Sequence, residues 1–137
     1  MQTVADLMTR PTATCPADAE IRAAAALMRD RDTGDVVVVD HDTVRGIVTD
    51  RDIVVRALAD GKGPETPLAE VLSGQVVAVA PDDRIEKVVD LLREHAVRRI
   101  PVVDGGRLAG VISIGDLAIE RDPDSALADI SAVRENS

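Results

Sequence analysis

The chain has 137 residues, 45% of them hydrophobic and 30% charged, with a formal net charge of −9 at pH 7. It contains no Phe, Tyr or Trp, which removes the aromatic platforms that single-stranded nucleic acid stacks on, and its acidic balance argues against any nucleic-acid polymer as partner. The single cysteine, Cys15, excludes an internal disulfide and fits a reducing compartment. No apolar run approaches the roughly 20 residues of a membrane span, and the N-terminal stretch lacks a basic segment leading into an apolar one. A cytoplasmic protein with no membrane partner is therefore expected.

Residues 12–15 read as a short strand closed by a turn at Pro16. Ile21, Ala24, Ala25 and Met28 fall on one face of a helix. The β-branched run 36–39 reads as a buried strand, Asp40-His41-Asp42 as a hairpin turn, and 44–49 as the returning strand. A helix over 50–59 follows at once, and the Gly- and Pro-rich residues 61–67 make a linker. The series then repeats: an apolar piece 76–79, a turn at Pro81, and a helix carrying Ile85, Val88, Val89 and Leu92. Next come a strand 100–103, a turn Asp104-Gly105-Gly106, a strand 108–113 and a helix 114–120. Residues 122–137, with Leu127, Ile130 and Val133 in a weak amphipathic pattern, read as a short helix and a frayed end.

The repeat has an offset of 64 residues. Ile21 falls on Ile85, Leu27 on Leu91, Val38-Val39-Asp40 on Val102-Val103-Asp104, Gly46 on Gly110 and Asp52 on Asp116. The expected architecture is a mixed α/β (α+β) fold of two β-α-β-β-α repeats with pseudo-two-fold symmetry. The first repeat spans 4–60 and the second 68–120, with a linker at 61–67 and a tail at 121–137. A repeat of this size buries too little surface alone, so two share the burden of making a core. That core must be built from small and branched aliphatics, since the chain has 20 Val and 19 Ala.

Thr49-x-x-Asp52 and Ser113-x-x-Asp116 each stand where a strand gives way to a helix. Two readings fit. The hydroxyl can accept from the amides of the first turn while the carboxylate reaches back to the cap amide, a purely structural role. The same corner can instead meet a ligand, with helix amides for an anion and a hydroxyl and carboxylate for a sugar. The halves differ in charge beside the motif: Arg98-Arg99 precede the strand of the second, Gly34-Asp35 that of the first. Arg51, next to Asp52, can reach a phosphate or pair with a neighbouring carboxylate. Cys15, His41, His95 and the acidic stretch of Asp30, Asp32, Asp35, Asp40 and Asp42 show no metal-ligand spacing. No nucleophile with a base and no paired acid and base stand out, so no enzymatic activity is expected.

Two segments, Gly46-Ile-Val-Thr49-Asp-Arg-Asp52 and Gly110-Val-Ile-Ser113-Ile-Gly-Asp116, together with the strand Arg99-Ile-Pro-Val-Val-Asp104, resemble the cystathionine-β-synthase (CBS) domain pair, or Bateman module. The resemblance covers residues 4–120. The stretch Thr49-Asp-Arg-Asp-Ile53 and the two-repeat length are further similar to stand-alone actinobacterial proteins of the hypoxic response type. The resemblance implies a regulatory module holding an adenosine-containing nucleotide (AMP, ADP, ATP or S-adenosylmethionine) in a cleft between the repeats. On this analogy Asp52 and Asp116 take the ribose, and Thr49 and Ser113 lie near the phosphate or sugar. The adenine lies among Val36, Val37, Ile100 and Pro101, while Arg98 and Arg99 meet phosphate, by family analogy at the pocket of Asp52. It also implies a homodimer through the helices at 22–28 and 53–59, and an unidentified protein target acted on in trans. The alternative is a ligand-free interaction and dimerisation module whose Thr/Ser-x-x-Asp motifs are only caps.

Overall fold

Apolar spacing dictates most of the elements found in the structure, a computed structural model that describes residues 2–10, 13–72 and 76–121. The tail read as a short helix, 122–137, lies outside the described residues. The chain runs through a short helix α1 (Val4–Leu7), a two-residue strand β1 (Thr14–Cys15), helix α2 (Ile21–Arg31) and the hairpin of β2 (Asp35–Asp40) and β3 (Thr43–Thr49). Helix α3 (Asp50–Ile53) follows without a loop and widens into a π turn, Val54–Leu58. A 3-10 turn (Leu68–Glu70) precedes helix α4 (Ile85–His95), the hairpin of β4 (Arg99–Asp104) and β5 (Arg107–Ser113), and helix α5 (Ile114–Arg121). Two features depart from expectation. The 50–59 helix is α only in its first turn, and the 76–79 strand reduces to one parallel bridge, Val79 with Val102.

Both hairpins are built alike. β2 pairs antiparallel with β3 and β4 with β5, and each ladder carries a bulge next to the motif glycine, at Val38/Val39 opposite Gly46 and at Val102/Val103 opposite Gly110. The tight turns need positive φ at both central residues, found at His41 and Asp42 and again at Gly105 and Gly106. β1 adds a parallel strand beside β2. Helix α2 buries Ile21, Ala24 and Met28; Ala25, expected on that face, is exposed.

Helices α2 and α4 both stop at a residue in the left-handed region, Asp32 (φ 52°) and Ala96 (φ 52°). That conformation suits glycine, and an alanine there pays for its Cβ. Ala96→Gly is expected to stabilise the protein by about 0.5–1 kcal/mol after the entropy of the added glycine is allowed for. A urea titration showing lower stability would contradict this.

The chain divides into two compact units, one over Thr12–Val76, the other joining Met1–Pro11 to the chain from Val77 onward. The first packs Ile21, Ala24, Met28, Val36, Val38, Val48 and Ala57 around Leu68 and Val71. The second packs Ile85, Val88, Leu92, Ile100, Val102 and Ile112 around Val4. The units therefore do not follow the sequence repeats at their heads. Val4, from the head of the first repeat, is fully buried in the core of the second unit. Leu68 and Val71, from the head of the second repeat, are fully buried in the core of the first. The backbone ties are equivalent. Val4 N donates to Asp83 O and Ala5 N to Pro81 O (both 2.9 Å), as Leu68 N does to Ala19 O (2.8 Å) and Ala69 N to Ala17 O (2.9 Å). Further along, Thr9 and Val111 exchange both backbone hydrogen bonds, at 2.9 and 2.8 Å.

Asp83 fixes the turn that receives this N-terminal arm. Its carboxylate accepts from Ala80 N at 2.8 Å and from Lys87 Nζ at 3.1 Å. The Ala80 amide, and then Lys87, hold its pKa below the usual range against an opposing effect of burial. A carboxyl depressed on folding contributes stability that is complete above its unfolded pKa and is lost as pH falls through its folded pKa. Asp83→Asn is expected to cost about 1 kcal/mol at pH 7. The gap to wild type should close once pH drops well below the ordinary aspartate value of about 3.9. Paired urea titrations at pH 7 and in acid measure it; a gap that widens in acid would refute the assignment.

Candidate functional site

Strand alternation sorts the residues singled out in the sequence onto two faces. Val36, Val38 and Val48 belong to the core of the first unit, so Asp35, Val37, Ile47 and Thr49 stand on the opposite face of the hairpin. The register sets Asp35 against Thr49 and Val37 against Ile47. In the second unit Ile100, Val102 and Ile112 belong to the core, leaving Arg99, Pro101, Val111 and Ser113 on the other face, with Arg99 opposite Ser113 and Pro101 opposite Val111. The four residues expected around an adenine therefore divide. Val37 and Pro101 share a face with the motif hydroxyls, while Val36 and Ile100 are core residues behind them.

The motifs themselves form reciprocal caps. At α3, Thr49 N donates to Asp52 Oδ2 (2.9 Å) and Asp52 N to Thr49 Oγ1 (3.1 Å). At α5, Ser113 N donates to Asp116 Oδ2 (2.9 Å) and Asp116 N to Ser113 Oγ (3.1 Å). The remaining amides at the start of α3 are also engaged: Asp50 N donates to Gly34 O (3.0 Å) and Arg51 N to Asp50 Oδ1 (2.8 Å). An anion at this corner would accordingly be met by side chains rather than by these amides. Ile114 N is likewise taken, by Arg98 O at 3.0 Å.

The two corners differ in what their side chains have left to offer. Thr49 and Asp52 are half-buried, and the Thr49 hydroxyl, which accepts from Asp52 N, donates to no described residue. Asp52 Oδ1 lies 3.8 Å from Arg56 Nε, an i,i+4 ion pair that leaves Arg56 about half exposed. Arg56 escaped the sequence analysis, although the Asp52–Arg56 spacing was there to find it. Ser113 and Asp116 are instead buried, at 2% and 8% exposure. Ser113 Oγ also donates to Asp116 Oδ2 at 3.1 Å, and Asp116 makes a further interaction.

Charge separates the corners further. Positions 34, 35 and 49–52 bring three carboxylates and one guanidinium to the first; positions 98, 99 and 113–116 bring two guanidiniums and one carboxylate to the second. Arg98 and Arg51 are exposed and form no ion pair with a described residue. The acidic stretch is spread among separate partners. Asp40 accepts from Ala17 N and pairs with Arg45, Asp35 accepts from Thr33 Oγ1, and Asp30 pairs with Arg29. Among the described residues no group of three His, Cys, Asp or Glu side chains is set to hold a metal ion. Burial pushes the Cys15 thiol above its ordinary pKa, away from the reactive thiolate. No helix among the described residues is long and apolar enough to cross a membrane.

Comparison with known proteins fits this duplicated geometry. The family model described as CBS domain matches residues 4–58 and again 64–121. The chain is 37% identical over 135 residues to the CBS domain-containing protein YhcV of Bacillus subtilis, covering 96% of each. Hypoxic Response Protein I, in a crystal structure with two coordinated zinc ions, superposes with a TM-score of 0.78 at 33% identity, over 85% of this chain and 97% of that one. The CBS domain protein PAE2072 from Pyrobaculum aerophilum, crystallised in complex with AMP, superposes with a TM-score of 0.78 at 26% identity, over 96% of this chain and 99% of that one.

Proposed function

The chain belongs to the CBS domain family, as a pair of CBS repeats of the kind that serve as regulatory modules, and from that premise we propose that it binds an adenosine-containing nucleotide. The observation that carries the proposal is the corner at Thr49 and Asp52. There a hydroxyl proton that no described residue accepts and a half-buried carboxylate stand beside the apolar pair Val37 and Ile47. Asp52 accepts the ribose hydroxyls and Thr49 donates to a sugar or phosphate oxygen. Val37 flanks the base. Arg51 neutralises phosphate there; Ser113 and Asp116, with Pro101, Arg98 and Arg99 beside them, form the second copy of the motif. The AMP complex of PAE2072 supports an adenosine ligand. AMP, ADP, ATP and S-adenosylmethionine share the part recognised here. The ligand regulates to the extent that it prefers one arrangement of the module over another. The module acts without catalysis, in the cytoplasm, on a protein target in trans.

The reciprocal caps favour a second reading, in which both motifs only terminate helices and the module works through its surfaces. Thermal shifts separate the two. A nucleotide present at about 100 times its Kd adds roughly 2.7 kcal/mol of stability, whereas caps alone predict no shift with AMP, ADP, ATP or S-adenosylmethionine.

The same surfaces support self-association. Val54, Val55 and Leu58 are 54%, 49% and 63% exposed along one short helical stretch. Apolar residues grouped in this way call for a cover, and we assign them to a homodimer contact with the Ala-rich helix α2. Leu58→Glu is expected to give a monomer by light scattering at micromolar protein where the wild type gives a dimer. A wild-type monomer under those conditions would remove the assignment.

A further inference from the structure

We infer that the two copies of the motif have parted in role: Ser113–Asp116 is a structural lock, and the chain takes a single nucleotide, at Thr49–Asp52. The choice of ligand rests on the reading above, while the lock does not. The repeat supplies its own control, because the reciprocal backbone–side-chain bonds have the same lengths in both copies, 2.9 and 3.1 Å. The first helix amide is also held alike, by Gly34 O and by Arg98 O at 3.0 Å, but the remaining side-chain interactions differ. In the second copy the serine hydroxyl spends its proton on Asp116 Oδ2, the oxygen that already accepts from Ser113 N. Asp116 is engaged once more, and both side chains are buried. A sugar hydroxyl arriving there would have to break internal hydrogen bonds in a buried place and restore each of them, which removes most of the gain of binding. In the first copy Thr49 gives its proton to no described residue, and among the described residues Asp52 Oδ1 faces only a half-exposed arginine at 3.8 Å. A ribose displaces that weak, solvated pair at small cost.

The substitutions Asp52→Asn and Asp116→Asn test the division with AMP as the probe, by calorimetry and thermal melting on the full chain. An asparagine at 52 keeps an acceptor for Thr49 N, and water can satisfy its amide, so its Tm should stay within about 2 °C of wild type while AMP affinity falls at least tenfold. An asparagine at 116 puts a donor where a buried acceptor stood, so Tm should fall by about 5 °C or more with AMP affinity within threefold. Ser113→Ala, which removes only the hydroxyl, should follow Asp116→Asn in both respects and serves where that variant does not fold. Wild type should bind one AMP per chain. Two AMP per chain, or loss of AMP binding in Ser113→Ala at unchanged Tm, would overturn the inference. Should AMP not bind wild type at all, the nucleotide reading falls, and the lock is judged by melting alone. Equal Tm losses in Asp52→Asn and in whichever of Asp116→Asn or Ser113→Ala folds would then refute it.

Discussion

Replacing Asp52 with alanine should weaken AMP binding by about 100-fold and lower stability by only about 1 kcal/mol. The first figure comes from the charge on the acceptor. A hydrogen bond to an ionised group is worth about 1.5–3 kcal/mol, and a ribose diol makes two to one carboxylate. Even at the lower end the sum is about two decades in Kd. The second figure is the value of a lost cap. Asp52 Oδ2 satisfies Thr49 N, and the Arg56 pair at Oδ1 is long and solvated. The two effects are separable because they are read by different instruments, calorimetry for affinity and urea titration for stability. The interaction-module reading predicts the second without the first, since it has no affinity to lose. Unaltered AMP affinity in Asp52→Ala would therefore remove this corner from the site, even if wild type binds AMP.

Gly110→Ala should be the most destabilising single methyl that can be added to the chain's two motif glycines, at about 2–3 kcal/mol. A Cβ at Gly110 would sit 2.7 Å from the carbonyl oxygen of Thr9 and 3.0 Å from Met8 Sδ. The sulfur can swing aside. The carbonyl cannot, because Thr9 is held by the exchanged pair of backbone bonds with Val111. The methyl must therefore push the N-terminal arm off the edge of β5. At Gly46, the equivalent position, a Cβ would meet, among the described residues, only the flexible tip of Leu72 at 3.3 Å, and the cost comes instead from its φ of +149°. Hydrogen exchange discriminates further. In Gly110→Ala the amides of Thr9 and Val111 should lose protection beyond the global loss, whereas in Gly46→Ala they should follow it. Stability within about 0.5 kcal/mol of wild type would mean that the arm does not depend on this close approach.

Much of the fold was legible because the repeat doubled every signal. The hairpins, their turns and the placing of Thr49, Asp52, Ser113 and Asp116 at strand–helix junctions follow from apolar runs bounded by polar residues, and each run occurs twice. The division of Val36 and Ile100 from Val37 and Pro101 was harder. Alternation is invisible in a run that is apolar at every position, and only the register of the hairpin reveals the faces. The burial of Val4 and Leu68 was out of reach for a different reason. Each sits in a short apolar-mixed segment (Val4-Ala-Asp-Leu-Met and Leu68-Ala-Glu-Val-Leu) whose pattern does not say which core it joins, and its pocket is built by chain far away in sequence. The same holds for the amides of Asp50 and Ile114, whose acceptors are the carbonyls of Gly34 and Arg98 rather than anything in their own helices. The serine–aspartate bond that closes the second motif depends on a side-chain rotation that a shared Ser/Thr-x-x-Asp pattern does not encode.

Val4 is synthesised long before the residues it is buried among, Ile85, Ile100 and Ile112. For most of translation that valine has nowhere to go. The unit over Thr12–Val76 can close as soon as Leu68 and Val71 emerge, but the other must wait for its far end and then retrieve its own beginning. Closure across so long a stretch is the slow kind. A nascent chain stalled near residue 76 would hold one finished unit and, ahead of it, an undocked segment carrying Val4, an open handle for proteases.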